Sequence, residues 1–87
     1  MKPRKKFGNC NIIGARVTQR RLLWGIKQKD LLAMIQSDGM IISTSGLSEL
    51  EGQNRIVRDF EVQILAKRLK TSVEYLIDGR NENITRE

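Results

Sequence analysis

Apolar residues recur at helical spacing in several short stretches of this sequence, and glycines separate the stretches. Ile13, Val17 and Trp24 lie at helical intervals and predict a first helix over residues 13–24. A helix often ends with a glycine in the left-handed conformation just past its last turn. We therefore expect helix ends near four glycines, which are Gly25, Gly39, Gly52 and Gly79.

The middle of the chain predicts two more short helices. The second helix runs from residue 28 to about residue 36, because its apolar residues fall on one face. The third helix runs to residue 51 and begins at Ser43, whose hydroxyl can accept hydrogen bonds from the first backbone amides. Leu47 and Leu50 face inward on this helix, and small polar residues face outward.

The clearest helical repeat lies near the end of the chain. Its members are Val62, Leu65, Ala66, Leu69 and Val73. They predict a fourth helix over about residues 59–69. Thr71 and Glu74 have the spacing of a capping box, in which two side chains each accept from the other residue's backbone amide. We therefore expect a fifth helix, which turns Leu76 and Ile77 inward.

These elements predict an all-α fold of five short helices in a single domain. The chain has 87 residues and 5% aromatic side chains, which is too short for two domains and poor in the residues that strands favour. Residues 40–42 are β-prone, and we expect them to be an extended linker. The ordered domain should span residues 12–79, with a basic flexible arm at residues 1–11 and a polar tail at residues 80–87.

Charge is distributed unevenly along the chain. Sixteen lysines and arginines face ten acids, for a net charge of +6, and the first 25 residues hold seven basic side chains and no acid. Four of the seven form the arm, and they are Lys2, Arg4, Lys5 and Lys6. This asymmetry favours a polyanion as partner, either nucleic acid or an anionic membrane. The alternative is an arm that only keeps the chain in solution.

The composition also excludes several kinds of site. Cys10 is the only cysteine and histidine is absent, so no disulfide within the chain, His-ligated zinc site or imidazole base can form. We therefore expect no enzyme activity, no metal and no cofactor. The longest apolar run, residues 31–35, is far shorter than the roughly 18 residues of a membrane span. No secretory leader follows the basic start, so we expect a cytoplasmic protein without a membrane partner.

Five segments of the chain, spread over residues 13–79, match the order of one known family. They are Ile13-Gly14-Ala15-Arg16-Val17 with Arg21; Gly25-Ile26-Lys27-Gln28-Lys29-Asp30-Leu31; Ser43 to Glu51 with Leu47 and Leu50; Asp59-Phe60-Glu61 with Leu65-Ala66-Lys67 and Leu69; and Ser72-Val73-Glu74-Tyr75-Leu76. Together they resemble the phage repressor and Cro-like (XRE) family of helix-turn-helix DNA-binding domains. The resemblance implies a lambda-repressor-like fold, with the helix-turn-helix formed by helices two and three.

The resemblance also implies a function and a set of base-reading residues. The chain is expected to bind double-stranded DNA as a small transcriptional regulator, a repressor, with the recognition helix 43–51 in the major groove. The residues expected to face base edges are Thr44, Ser45, Ser48 and Glu49. Thr44 and Ser45 can instead cap the helix. Glu49 is expected to accept from the N4 amine of cytosine.

Phosphate contacts are implied at the start of the second helix and after the recognition helix. The residues are Gln28, Asn54, Arg55 and Arg58, and the basic arm can add contacts in a groove. Arg16 and Arg21 either contact phosphate or pair with Glu51 or Glu61. Since one domain reads only a few base pairs, a homodimer is expected, with Tyr75, Ile77 or Ile84 as its contact.

A second class of function stays open at this stage. The same helical scaffold can serve as a protein-interaction module, of the antitoxin or adaptor type, that holds a protein partner instead of DNA. Three residues of the third helix support this alternative. Glu49 and Glu51 are acids on a helix that would face phosphates, and Gly46 weakens the helix by up to about 1 kcal/mol relative to alanine.

Overall fold

Five α-helices make up the part of the chain that the computed structural model describes, residues 10–79, and no strand occurs within these residues. The helices are α1 (Gly14–Leu23), α2 (Gln28–Ser37), α3 (Thr44–Glu51), α4 (Asp59–Arg68) and α5 (Val73–Asp78). The prediction of an all-α fold with five helices is confirmed. The predictions for the basic residues Lys2, Arg4, Lys5 and Lys6 and for the tail lie outside the described residues. None of the five helices has the length and apolar character needed to cross a membrane.

The apolar residues that form the helical repeats meet in one core. Its largest fully buried side chains are Val17, Leu31, Ile35, Leu47, Leu50, Leu65, Leu69 and Leu76. Complete burial of such a side chain contributes about 1.5–3 kcal/mol relative to exposure. In this packing α3 contacts α1 and α2, while α4 contacts α2 and α5. The core therefore supports α3 from one side.

A buried arginine joins α1 to the end of the bundle. Only 4% of Arg20 is exposed, and its guanidinium lies 5.5 Å from the ring centroid of Trp24 and 5.4 Å from that of Tyr75. Its Nη2 donates to the carbonyl of Lys70 at 3.4 Å. Cation–π contacts of a desolvated guanidinium contribute about 2 kcal/mol. The two aromatic rings thus stabilise a charge at a position where an apolar side chain would be usual.

The predicted start of the last helix is wrong by one residue. Ser72, not Thr71, caps α5, because the Ser72 hydroxyl accepts from the backbone amide of Tyr75 at 3.0 Å. The Thr71 hydroxyl is buried and has no hydrogen-bond partner within residues 10–79. Leu76 is fully buried as predicted, but Ile77 is 38% exposed, so the prediction that it faces inward is wrong. Successive residues of a helix point about 100° apart, so burial of Leu76 turns Ile77 away from the core.

The predicted helix ends are confirmed at all four glycines, but the left-handed conformation occurs at only three of them. Gly25, Gly39 and Gly79 have φ angles of +69°, +100° and +75°. Gly52 has φ −85°, because the chain continues one residue further before it reverses, and Gln53 takes the left-handed conformation at φ 66°. This conformation is unfavourable for a residue with a side chain. The Gln53 amide compensates by donating to the carbonyl of Asn11 at 3.1 Å.

Asn11, which we expected in the flexible arm, is a buried cap. Its Oδ1 accepts from the backbone amides of Ile13 and Gly14 at 3.1 and 2.8 Å, so it caps the start of α1. Its Nδ2 donates to the carbonyls of Leu50 and Arg55 at 3.1 and 2.7 Å. One side chain therefore joins the first turn of α1 to the last turn of α3.

The same two helix ends approach so closely that Gly14 has room for no side chain. A Cβ atom at Gly14 would overlap the carbonyl oxygens of Leu50 and Glu51, which are backbone atoms that cannot move without moving α3. Close approach of two backbones is one reason for glycine in a helix. The position of α3 relative to α1 is therefore fixed by backbone contact as well as by hydrogen bonds.

We predict that Gly14→Ala lowers the free energy of unfolding by about 1–3 kcal/mol, as overpacking of a tight contact does. Urea unfolding of both proteins measures the change. Gly25→Ala is the comparison, because a Cβ there meets no atom within 4 Å. The loss of stability in Gly25→Ala should therefore come only from placing alanine in the left-handed conformation, which costs about 1–2 kcal/mol. A Gly14→Ala protein as stable as wild type would contradict the close approach.

Candidate nucleic-acid interface

Four polar residues share one exposed face of α3. They are the four predicted base-reading residues, Thr44, Ser45, Ser48 and Glu49, and each is exposed. At about 100° per residue they occupy about 140° of the helix circumference. Leu47 and Leu50 lie on the opposite side and are 1% and 0% exposed. We refer to the four residues as the α3 polar face, and the structure brings all of them together.

The cap of α3 leaves the first polar side chains available for other contacts. Ser43 is the cap, because its hydroxyl accepts from the backbone amide of Gly46 at 3.0 Å. Thr44 and Ser45 therefore do not cap the helix, although the hydroxyls of Ser43 and Ser45 lie 3.3 Å apart. Within the described residues no hydrogen bond or ion pair forms to the side chains of Thr44 and Glu49.

The nearly buried carboxylate of Glu51, at the end of α3, bonds to side chains of α1 and α2. Oε1 of Glu51 accepts from the Thr18 hydroxyl at 2.9 Å, from Nη2 of Arg21 at 3.0 Å and from Nε2 of Gln28 at 3.2 Å. Oε2 of Glu51 accepts from Nε of Arg21 at 2.9 Å, which makes this ion pair bidentate. The side chains of Arg21 and Glu51 are only 13% and 7% exposed. Glu51 thus connects α1, α2 and α3 at one point.

The sequence left open whether Arg16 and Arg21 of α1 pair with a glutamate or are free to contact phosphate. Arg21 pairs with Glu51, as one of the two expectations stated. Arg16 pairs with neither glutamate. Its Nη1 donates instead to the carbonyls of Leu76 and Ile77, at 3.1 and 3.3 Å, which ties α1 to the last turn of α5.

Gln28, a predicted phosphate contact, is tied to α3. Its Nε2 donates to Glu51 and its Oε1 accepts from the Ser48 hydroxyl, both at 3.2 Å. A primary amide carries two N–H groups. The amide of Gln28 therefore supports the α3 polar face and keeps a second N–H for a further acceptor at the start of α2.

The other three predicted phosphate contacts lie after α3 and differ in their surroundings. Asn54 and Arg58 are exposed. Arg55 is not, because its side chain is 22% exposed and forms an ion pair with Glu61 at 3.2 Å. Its guanidinium faces a carboxylate of its own chain, so Arg55 is less available to a phosphate than the sequence suggests.

The ion pair of Glu61 shifts its titration. Burial by itself raises the pKa of this carboxyl group, but hydrogen bonds from the Arg55 guanidinium and from the backbone amide of Arg58 outweigh it, so the pKa lies below its ordinary value. Glu61 also accepts from the amide of Arg58 at the start of α4. The same carboxylate therefore fixes both the loop after α3 and the first turn of α4.

Sequence reasoning missed Asn11 and Gln53, which join the residues directly before α1 to the end of α3. The backbone amide of Cys10 donates to the carbonyl of Gln53 at 2.6 Å. Asparagine two or three residues before a helical stretch is a residue type that favours capping, so Asn11 carried a usable signal. These bonds place the entry of the chain into the domain beside the C-terminal end of α3.

We predict that Glu51→Gln lowers the free energy of unfolding by about 3 kcal/mol, because removing one charge of a buried ion pair leaves the Arg21 guanidinium without its partner. Chemical denaturation measures the loss. Glu49→Gln is the matched control, since it makes the same change on an exposed face of the same helix. It should alter stability by less than about 0.5 kcal/mol. Equal effects of the two variants would show that Glu51 does not hold the three helices together.

We also predict a loss of stability in acid that depends on Glu61. A carboxyl group whose pKa is lower in the folded chain stabilises the fold above its unfolded value, and this stabilisation is lost as the pH falls through the folded pKa. The window therefore lies below the ordinary value of 4.5. Unfolding free energies measured from pH 6 down to the acid transition should fall less steeply for Glu61→Gln than for wild type. An unchanged slope would refute the prediction, and Glu49→Gln again serves as control.

Comparisons with known proteins do not add an assignment to this geometry. No protein-family model, no curated protein and no solved structure matches the chain. The resemblance to the repressor family therefore stays a prediction from the sequence. The α3 polar face and the residues that support it are the features from which a function can be inferred.

Proposed function

We propose that this chain binds double-stranded DNA sequence-specifically and acts as a small transcriptional regulator, a repressor, with α3 in the major groove. The observation that carries the proposal is the α3 polar face, whose four side chains are exposed while the opposite side of the helix is buried. The major groove is about 12 Å wide and admits one α-helix. A short helix with one polar face and firm support behind it fits this role.

The residue types on the α3 polar face match the chemistry of base edges. Hydroxyl groups of threonine and serine both donate and accept, so they can bond to several bases. The carboxylate of Glu49 accepts only, and the N4 amine of cytosine is the donor it can use in the major groove. Since a carboxylate is repelled by phosphates, Glu49 adds selectivity and not affinity. We therefore propose that Glu49 reads cytosine.

Affinity for the backbone would come from the positions around α3. Gln28 begins α2, where backbone amides and the helix dipole favour a phosphate group. Asn54 and Arg58 are exposed beyond the end of α3. Arg55 contributes less in this proposal, because Glu61 neutralises part of its charge. The arm residues Lys2, Arg4, Lys5 and Lys6 precede Cys10, which lies beside the end of α3.

A single α3 reads only a few base pairs, so the proposal includes a homodimer on a palindromic site. The centres of the two half-sites would lie about 34 Å apart. Tyr75, which we expected as an exposed dimer contact, is only 4% exposed, and that prediction is wrong because its ring packs against Arg20 in the core. Ile77 remains a candidate at 38% exposure, and Ile84 lies outside the described residues.

A protein-interaction module is the second candidate, and one observation favours it. Leu22 and Leu23 at the end of α1 are 64% and 47% exposed. They precede Trp24, which lines a groove with Met34 and Lys70. Neighbouring exposed apolar residues are a common mark of protein contacts. This surface shares no residue with the α3 polar face, so the two candidates can be tested separately.

Selection of bound fragments from a random pool of duplexes, followed by a salt titration, tests the proposal. We expect one enriched sequence whose affinity falls steeply with salt, with a log–log slope of about −0.9 for each phosphate neutralised. Glu49→Gln should change the preferred base at one position. Gln28→Ala and Arg58→Ala should weaken binding to all duplexes alike, and Arg58→Ala should reduce the salt slope by about 1.

The affinity of Gln28→Ala has to be separated from any loss of stability in this variant. Because Gln28 bonds to Glu51 and Ser48, the unfolding midpoint of Gln28→Ala is measured beside its affinity, whereas Arg58 is exposed. A pool that yields no enriched sequence would overturn the proposal and favour the protein-interaction module. An enriched sequence that is identical for wild type and Glu49→Gln would remove Glu49 from the reading surface.

A further inference from the structure

The short connection between α2 and α3 presents one isoleucine almost entirely to solvent. Ile41 is 91% exposed, whereas its neighbours Met40 and Ile42 are 2% and 8% exposed. Side chains of an extended segment point alternately to opposite sides. Burial of the two neighbours in the core therefore forces Ile41 outward.

Hydrogen bonds to the backbone of Met40 and Ile42 hold the connection on both sides of Ile41. The amide of Met40 donates to the carbonyl of Ile35 at 3.0 Å, and the carbonyl of Ile42 accepts from the Gln36 side chain at 2.8 Å. Ile41 is thus an outward-facing residue of a firmly attached segment. A single exposed isoleucine needs no special explanation by itself. What distinguishes Ile41 is its position beside α3.

Ile41 lies at the edge of the α3 polar face. It lines a shallow concavity of about 530 Å³ together with Ser45, Gly46, Glu49 and Arg55. Two of these residues, Ser45 and Glu49, belong to the α3 polar face. Gly46 contributes no side chain, and Ile42 and Ser43 complete the lining of the concavity. An apolar side chain and an acceptor carboxylate therefore border the same depression.

We propose that Ile41 packs against the C5-methyl group of a thymine, next to the cytosine that Glu49 reads. This inference rests on the proposed function and names a specificity determinant within it. The thymine methyl is the one apolar group that base pairs display in the major groove, and apolar side chains recognise it by contact. Ile41 and Glu49 together would select a cytosine and a thymine as near neighbours in each half-site.

Duplexes in which uracil replaces thymine test the inference, because they lack the methyl group and keep every hydrogen-bonding atom. The full chain is titrated with the enriched duplex and with copies that carry uracil at one thymine at a time. We expect a loss of about fourfold in affinity at one thymine near the cytosine assigned to Glu49, as burial of one methyl group predicts. Ile41→Ala should bind the thymine and uracil duplexes with equal affinity.

Ile56→Ala is the matched control. Ile56 is 73% exposed and lies in the loop after α3, and it lines a different depression with Asn54 and Arg58. Its truncation removes the same atoms from the surface and should keep the fourfold preference for thymine. Since Ile41 is exposed, Ile41→Ala should also unfold at the wild-type midpoint, which separates lost contact from lost structure.

The outcomes separate this inference from the proposed function. Equal binding of thymine and uracil duplexes by wild type, or a thymine preference that survives in Ile41→Ala, would overturn the inference and leave sequence-specific binding intact. Failure of wild type to enrich any duplex would overturn both. A preference lost in Ile41→Ala and retained in Ile56→Ala would assign the methyl contact to Ile41.

Discussion

The carboxylate of Glu51 is the constraint on which the position of α3 depends. It is nearly buried and accepts hydrogen bonds from side chains of Thr18, Arg21 and Gln28, so α1, α2 and α3 must all be in place before its charge is satisfied. A buried charge without its partners costs several kcal/mol, and this cost disfavours arrangements in which α3 is displaced. The main effect of Glu51 is to favour the arrangement of α3 in which Thr18, Arg21 and Gln28 all reach its carboxylate.

The two ends of α3 are fixed by different means, and neither uses the α3 polar face. At the start, Ser43 caps the helix and the connection is held by bonds to α2. At the end, Asn11 bonds to the carbonyl of Leu50, and Gly14 allows the backbones to touch. The side chains of Thr44 and Glu49 therefore contribute little to the stability of the fold. Substitutions there can change what the helix contacts without changing the fold, as a surface that reads a sequence requires.

The sequence predicts the helices well because each has a buried apolar stripe. It offers Ser43, Thr44 and Ser45 as caps of α3, and the structure assigns the cap to Ser43. The sequence cannot choose between Thr71 and Ser72, which are both capping residues side by side. It places the end of α3 correctly at Gly52 but puts the left-handed residue there instead of at Gln53, because the bond that stabilises Gln53 in that conformation forms only in the folded chain. Asparagine before a helix is a local signal for the cap that Asn11 forms, but no local pattern reveals its bonds to Leu50 and Arg55, which lie 39 and 44 residues away.

The candidate site, too, can be predicted from the sequence only in part. The part that cannot be predicted affects which cations are available to bind phosphate. The exposed residues of α3 can be predicted from periodicity, but the pairing of Arg55 with Glu61 depends on the path of the loop after α3. Arg21 pairs with Glu51 and Arg68 pairs with Asp38 at 2.6 Å, so three arginines of the described domain have an acid as partner. Residues 1–9 contain four cations and no acid. Under the proposed function, α3 would therefore determine which sequence is bound, and the salt-dependent attraction would come largely from the arm.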